Sequence, residues 1–182
     1  MSYPWSTLQK LTSAALNAAF AARIAEISAL QTAVAALTPV EAKLQRTTVQ
    51  SIPNNSNTPV QWSNPALLDT HGGWSSGAPS RWTCPSGCAG WYDYNGILSF
   101  ANNATSTRAV HLLKNGSNVD GTQVILNGSA SSSVLSMFFA GKVQLAVGDY
   151  IEVNAFQLSG GALNTGSGLT APTLNLSRRL AA

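Results

Sequence analysis

The sequence predicts a mainly β protein: an antiparallel sandwich or jelly roll preceded by an N-terminal α-helical stalk. Three observations carry that expectation. Residues 12–38, TSAALNAAFAARIAEISALQTAVAALT, are rich in Ala and Leu and nearly free of charge, the composition of a strong helix former. After Thr47 the apolar residues recur with a period of two instead. The short apolar runs there are separated by Gly, Asn and Pro turns, the spacing of many short antiparallel strands.

The chain opens on Tyr3, Pro4 and Trp5, with Leu11 a few residues on, a cluster too short to build its own core. Such a cluster makes sense as an anchor buried against a partner. Thr12 is placed to cap the helix. Inside the helix the large apolar residues are Leu16, Phe20, Ile24, Ile27, Leu30, Val34 and Leu37. Their steps of three and four keep them on one face, and Ala fills the flanks, so helices of this kind pack closely. Ile at core positions of parallel coiled coils favours three or more strands. This stripe therefore predicts a self-bundling stalk that leans towards trimers or higher; the alternative is an amphipathic helix packed on its own β-domain. Thr38-Pro39-Val40-Glu41 has the form of a capping box with Pro at the first helical position, which predicts a second short helix from Pro39 to about Arg46. Two domains follow from this: residues 1–46 as anchor and stalk, residues 47–182 as the β-domain.

Strands are expected over Thr47–Ile52, Pro59–Trp62, Gly90–Phe100, Arg108–Leu113, Thr122–Leu126, Ser133–Phe139, Tyr150–Leu158 and Thr173–Ser177. Asn115-Gly116 and Asn127-Gly128 are hairpin turn signals. Gly141-Lys142 is read as a further turn.

Composition narrows the function. Charged residues make up 9% of the 182 and hydrophobic residues 45%, so neutral polar groups must cover the surface. The ten Lys and Arg are scattered, with Arg178-Arg179 the one basic doublet, which argues against nucleic-acid binding. No stretch approaches the roughly 20 apolar residues of a membrane span. The start, MSYPWSTLQK, lacks the basic and apolar regions of a secretion signal, so synthesis without Sec export is expected, and any extracellular role would come from release by lysis or another route.

No catalytic, metal or cofactor constellation stands out. Asp69-Thr70-His71 offers too few ligands for a metal site, and His111 reads as a sheet residue. Cys84 and Cys88, in CPSGC, are either two thiols in a turn or a loop-stapling disulfide. The aromatics Trp62, Trp74, Trp82, Trp91 and Tyr94 are either sugar platforms or core and interface residues, and Trp91 and Tyr94, on the strongest strand, read as the latter. Trp74 and Trp82 lie in looser, Gly-rich sequence and, with Arg81, are the candidates for a surface ligand contact. The expectation is a non-enzymatic protein.

Three pieces of the β-domain together resemble the C1q/TNF-like jelly roll: Pro85 through Gly90-Trp91-Tyr92 to Phe100, Arg108 to Gly116, and Leu145-Ala146-Val147-Gly148-Asp149-Tyr150-Ile151-Glu152-Val153. In the last, Gly permits the turn and Asp bonds its backbone as the strand begins. The resemblance covers about Thr47 to Leu180 and implies a homotrimer around a threefold axis. Tyr3-Pro4-Trp5 followed by Leu11 to Phe20 resembles the opening of small tail-fibre and other virion proteins of tailed bacteriophages. Together these imply a virion protein that is attached by its N-terminus to capsid or tail proteins and displays its jelly roll outward. Host-surface adhesion, to a glycan or a receptor, is the implied role. Capsid decoration and a secreted C1q-like recognition module are the rivals.

Overall fold

The computed structural model describes residues 13–37, 39–63, 67–128 and 133–179 and divides the chain between Thr38 and Pro39. The first unit is the helix α1, Ser13–Leu37, about 37 Å long at 1.5 Å per residue. Leu16, Phe20, Ile24, Ile27, Leu30 and Val34 are all exposed. The side chain of Leu37 and the expected anchor residues Tyr3, Pro4, Trp5 and Leu11 lie outside the described residues.

The second unit is a β-sandwich. Its first sheet joins β1 (Glu41–Gln45), β4 (Leu68–Asp69), β6 (Gly90–Phe100), β10 (Leu135–Leu145) and β13 (Thr173–Arg178) in the order β10-β6-β13-β1-β4. The second sheet is built on β7 (Thr107–Lys114) and β11 (Tyr150–Gln157), which pair antiparallel. β3 (Thr58–Pro59) and β5 (Arg81–Thr83) pair with β11, and β8 (Ser117–Asn118) and β9 (Val124–Asn127) pair with β7. A small third pair joins β2 (Ser51–Ile52) to β12 (Leu163–Asn164). Side chains alternate along each strand. Tyr92, Tyr94, Leu98 and Phe100 of β6 thus meet Val110, Leu112, Ile151 and Val153 of the other sheet in one core.

The expected helix over Pro39–Arg46 is instead the strand β1, and the β-unit begins at Pro39, not at Thr47. The reason is visible in the residues. Val40, Ala42 and Leu44 are buried while Lys43 points to solvent, a period of two that a helix cannot satisfy. The Glu41 N–H goes to Thr70 Oγ1 at 3.0 Å, not to a helical cap. The strand expected over Thr47–Ile52 shrinks to β2, because the Arg46 guanidinium binds the carbonyls of Thr48, Val49 and Gln61 and holds that stretch as a loop.

The turn expected at Gly141-Lys142 does not form. β10 runs straight through it, paired with β6 over its whole length, Leu135 opposite Phe100 and Leu145 opposite Gly90. Gly141 lies opposite Tyr94, and a Cβ added there would fall 2.5 Å from the Tyr94 hydroxyl. Two residues back the arrangement reverses: Phe139 lies opposite Gly96, and a Cβ on Gly96 would run into the Thr173 backbone carbonyl and fall 2.5 Å from Phe139 Cζ. Each aromatic ring covers a strand glycine across the pair, which fixes the register. Gly96→Ala is expected to lose about 1–3 kcal/mol by overpacking, read as a lower denaturant midpoint with an unchanged slope. A midpoint unchanged from the parent would mean that the ring and strand yield freely.

At the hairpin between β7 and β8, Asn115 and Gly116 both have positive φ, 52° and 78°, the tight turn that the Asn-Gly pair predicts. Asp149 ties this turn to the β10–β11 turn. Its carboxylate accepts from Asn115 Nδ2 (2.7 Å), the Ala146 N–H (2.8 Å) and Lys114 Nζ (2.8 Å). Those donors hold the Asp149 carboxyl well below the usual carboxylate range.

Candidate functional site

The outward face of the first sheet presents an apolar centre. Phe138, Ile97 and Thr173 sit side by side across β10, β6 and β13, with Ala140, Asn95 and Asn175 in the next row. Phe138 is 75% exposed, at the edge of a hollow of about 400 Å³ lined by these six residues together with Gly96 and Phe139. Asn175 Nδ2 donates to Asn95 Oδ1 at 2.8 Å, so the amides beside the apolar row are partly satisfied by each other. Charges lie to one side: Lys142 opposite Asp93, and Asp93 paired with Arg179 at 2.8 Å. Trp91, expected in the core or an interface, is half exposed on this same face. An apolar centre with a polar margin is the anatomy of a protein–protein contact.

Sequence reasoning did not single out Phe138. A signal was present, because adjacent Phe138 and Phe139 in one strand must point to opposite faces, so one of them has to lie outside the core.

The residues expected to contact a ligand behave differently. Trp82 is fully buried, packed edge-on against Tyr92 with ring centroids 5.4 Å apart. It offers no surface, which corrects that expectation. Trp74 is half-buried; its Nε1–H donates to Pro79 O (3.1 Å) and its backbone N–H to Asp69 Oδ2 (2.7 Å). Asp69 also accepts from Trp82 Nε1 (3.3 Å), so its carboxylate organises two tryptophans. Arg81 is engaged from two sides, by Glu152 Oε1 at 3.2 Å and by the Tyr150 ring 4.1 Å away. Among the described residues no group of three His, Cys, Asp or Glu is arranged to hold a metal ion.

Cys84 and Cys88 are free and buried. Tyr92 donates to Cys88 O, and its hydroxyl lies 3.9 Å from Cys84 Sγ. Burial pushes both thiols up in pKa, which suppresses the reactive thiolate. Neither thiol is therefore expected to react with a bulky disulfide reagent at pH 8 until the sandwich unfolds, whereupon both react. Rapid titration of the native protein would contradict this burial, and no titration after unfolding without reductant would reveal a disulfide.

By sequence, neither a family model nor a curated protein matches the chain. Solved structures do match it. Murine APRIL at pH 8.5 superposes with a TM-score of 0.59 at 16% identity, over 78% of this chain and 100% of that one. The fold is the C1q/TNF-like jelly roll. Murine APRIL at pH 8.0 gives 0.55 at 17% identity over the same shares. The globular domain of zebrafish complement 1qA protein gives 0.50 at 16% identity, over 75% of this chain and 94% of that one. At these identities the likeness is one of fold, and it bears out the C1q/TNF-like part of the resemblance read from the sequence.

Proposed function

We propose that this chain is a non-enzymatic structural protein of a bacteriophage virion, a homotrimeric short fibre that holds the particle through its N-terminus and displays the jelly roll to a host surface. The observation that carries the reading is the helix. Six large apolar side chains on one stripe of α1 are between 46% and 66% exposed, an arrangement that favours burial against copies of itself. The exposed Phe138 beside the half-buried Ile97 offers a second apolar surface for such contact, and the low charge of the chain suits close approach between copies.

Native mass spectrometry of the full chain tests the assembly, with three copies expected and a lone monomer sinking it. Gold-labelled antibody against the jelly roll, imaged on intact particles of the source virus, tests the attachment. Label at the tail supports the adhesive fibre, label over the whole head makes it a decoration protein, and no label ends the virion reading.

A further inference from the structure

The second sheet carries a different feature on its outward face. His111 of β7 lies opposite Asn154 of β11, with Phe156 two residues further along the same side. The loop between β8 and β9 runs beside them, tied to β7 by the Leu112 N–H donating to Thr122 Oγ1 (3.1 Å) and the Val119 N–H to Leu112 O (3.0 Å). Between loop and sheet is a hollow of about 380 Å³, lined among others by Asn57, Asn118, Asp120, Gln123, Phe156 and His111. That volume falls at the lower end of the roughly 300–1,000 Å³ of small-molecule pockets.

Two buried polar groups at this place are incompletely paired. His111 is 7% exposed and Asn154 3%. They bond each other, Asn154 Nδ2 to His111 Nε2 at 3.1 Å, yet His111 Nδ1 and Asn154 Oδ1 have no hydrogen-bond partner among the described residues. A buried polar atom left unpaired is costly, so the fold keeps this pair at some expense. Asn118 lies beside the ring, and burial holds the imidazole pKa below its ordinary value. The ring is therefore neutral near pH 7; its Nδ1 is shielded from solvent, so the polar groups open to a guest are those of the exposed Asn118, Asp120 and Gln123.

The lining decides what guest fits. No Lys or Arg borders the hollow, so an anion gains nothing there. One carboxylate among neutral amides is a poor cage for a metal ion. Three amides each present a donor beside an acceptor, which matches a pair of neighbouring hydroxyls, and Asp120 accepts from two hydroxyls at once. Phe156 gives an apolar wall for the C–H face of a ring.

We propose that this hollow binds a neutral, hydroxyl-rich ring, a hexose unit of a glycan. The inference deepens the adhesive reading and rests on it for its biological setting; the binding itself is read separately from assembly. The test uses the full chain titrated with methyl glucoside, methyl galactoside and N-acetylglucosamine while the His111 ring resonances are followed by NMR. At least one sugar is expected to shift them saturably at millimolar concentration. The exposed substitutions Asp120→Ala and Gln123→Ala leave the core untouched, and Asp120→Ala is expected to weaken the binding about tenfold, as for loss of a charge-assisted hydrogen bond. Inorganic phosphate and calcium are expected to leave the ring unmoved. Three silent sugars, a shift indifferent to Asp120→Ala, or saturable binding of phosphate or calcium at the same resonances would overturn the assignment. A monomeric chain that still binds a sugar would remove the trimer and leave this site in place.

Discussion

Trp82→Ala is expected to lower the melting temperature of the β-unit by roughly 6–20 °C, whereas Trp91→Ala should barely move it. The two indoles differ in what they bury. Trp82 is fully buried, opposite Ile151 in the β5–β11 pair, against the Tyr92 ring, with its N–H on Asp69. The loop at Gly73 passes so close that a Cβ there would lie 2.5 Å from Trp82 Nε1. Truncation therefore empties a site that several rigid neighbours cannot collapse into, and it orphans one Asp69 oxygen. Removal of a buried Trp costs about 3–5 kcal/mol, a large share of the roughly 5–15 kcal/mol that holds a domain together, and each kcal/mol moves a unit of this size by about 2–4 °C. Trp91 is half exposed, and surface changes usually stay within about 0.5 kcal/mol. Thermal unfolding followed by circular dichroism, with both variants in one buffer, decides it. Equal midpoints for the two would mean that the Trp82 pocket closes up without loss.

That contrast also shows where the sequence was legible. β6, β11 and β13 carry an alternating sequence and lie close to the positions expected from it, and β7, a short run without clean alternation, lies where its apolar stretch and the Asn-Gly turn after it put it. β1 was misread because Thr38-Pro39-Val40-Glu41 satisfies a local capping pattern while its alternation, which tertiary pairing with β13 rewards, is only five residues long. Gly141 was misread for a related reason: a glycine beside a lysine looks like a turn until the Tyr94 ring across the strand explains it. The two tryptophans were assigned by their neighbours in sequence. Gly-rich surroundings suggested exposure for Trp82, but those glycines let the loop close over the ring. The hollow at His111 was not legible at all, because it joins residues near positions 57, 111, 120 and 156 that only the sheet topology brings together. The C1q/TNF-like likeness, in contrast, was legible from short motifs in the right order, since those motifs mark the turns and strand starts that the fold itself requires.

On the proposed trimer, Phe138→Arg is expected to convert the assembly to monomer at micromolar concentration, and Ile24→Asp with Ile27→Asp to weaken it by less. Phe138 is 75% exposed, so its replacement takes nothing from the sandwich core, and cooperative unfolding of the β-unit should persist. If the side chain is buried between copies, its loss costs about 1.5–3 kcal/mol at each of three contacts, some 4.5–9 kcal/mol in all. At about 1.4 kcal/mol per tenfold that is three to six decades in the assembly constant. The introduced guanidinium adds a desolvation penalty on top. The helix argues for a smaller share. A stripe of six described residues over 25 positions, about seven helical turns, gives only a short coiled coil. Carboxylates at two adjacent core positions would melt that segment while leaving the sheet contacts. Analytical ultracentrifugation across a concentration series separates the cases. Trimer mass retained by Phe138→Arg but lost by the helix variant would transfer the assembly to the helix alone. Retention by both variants would mean that neither surface joins the copies.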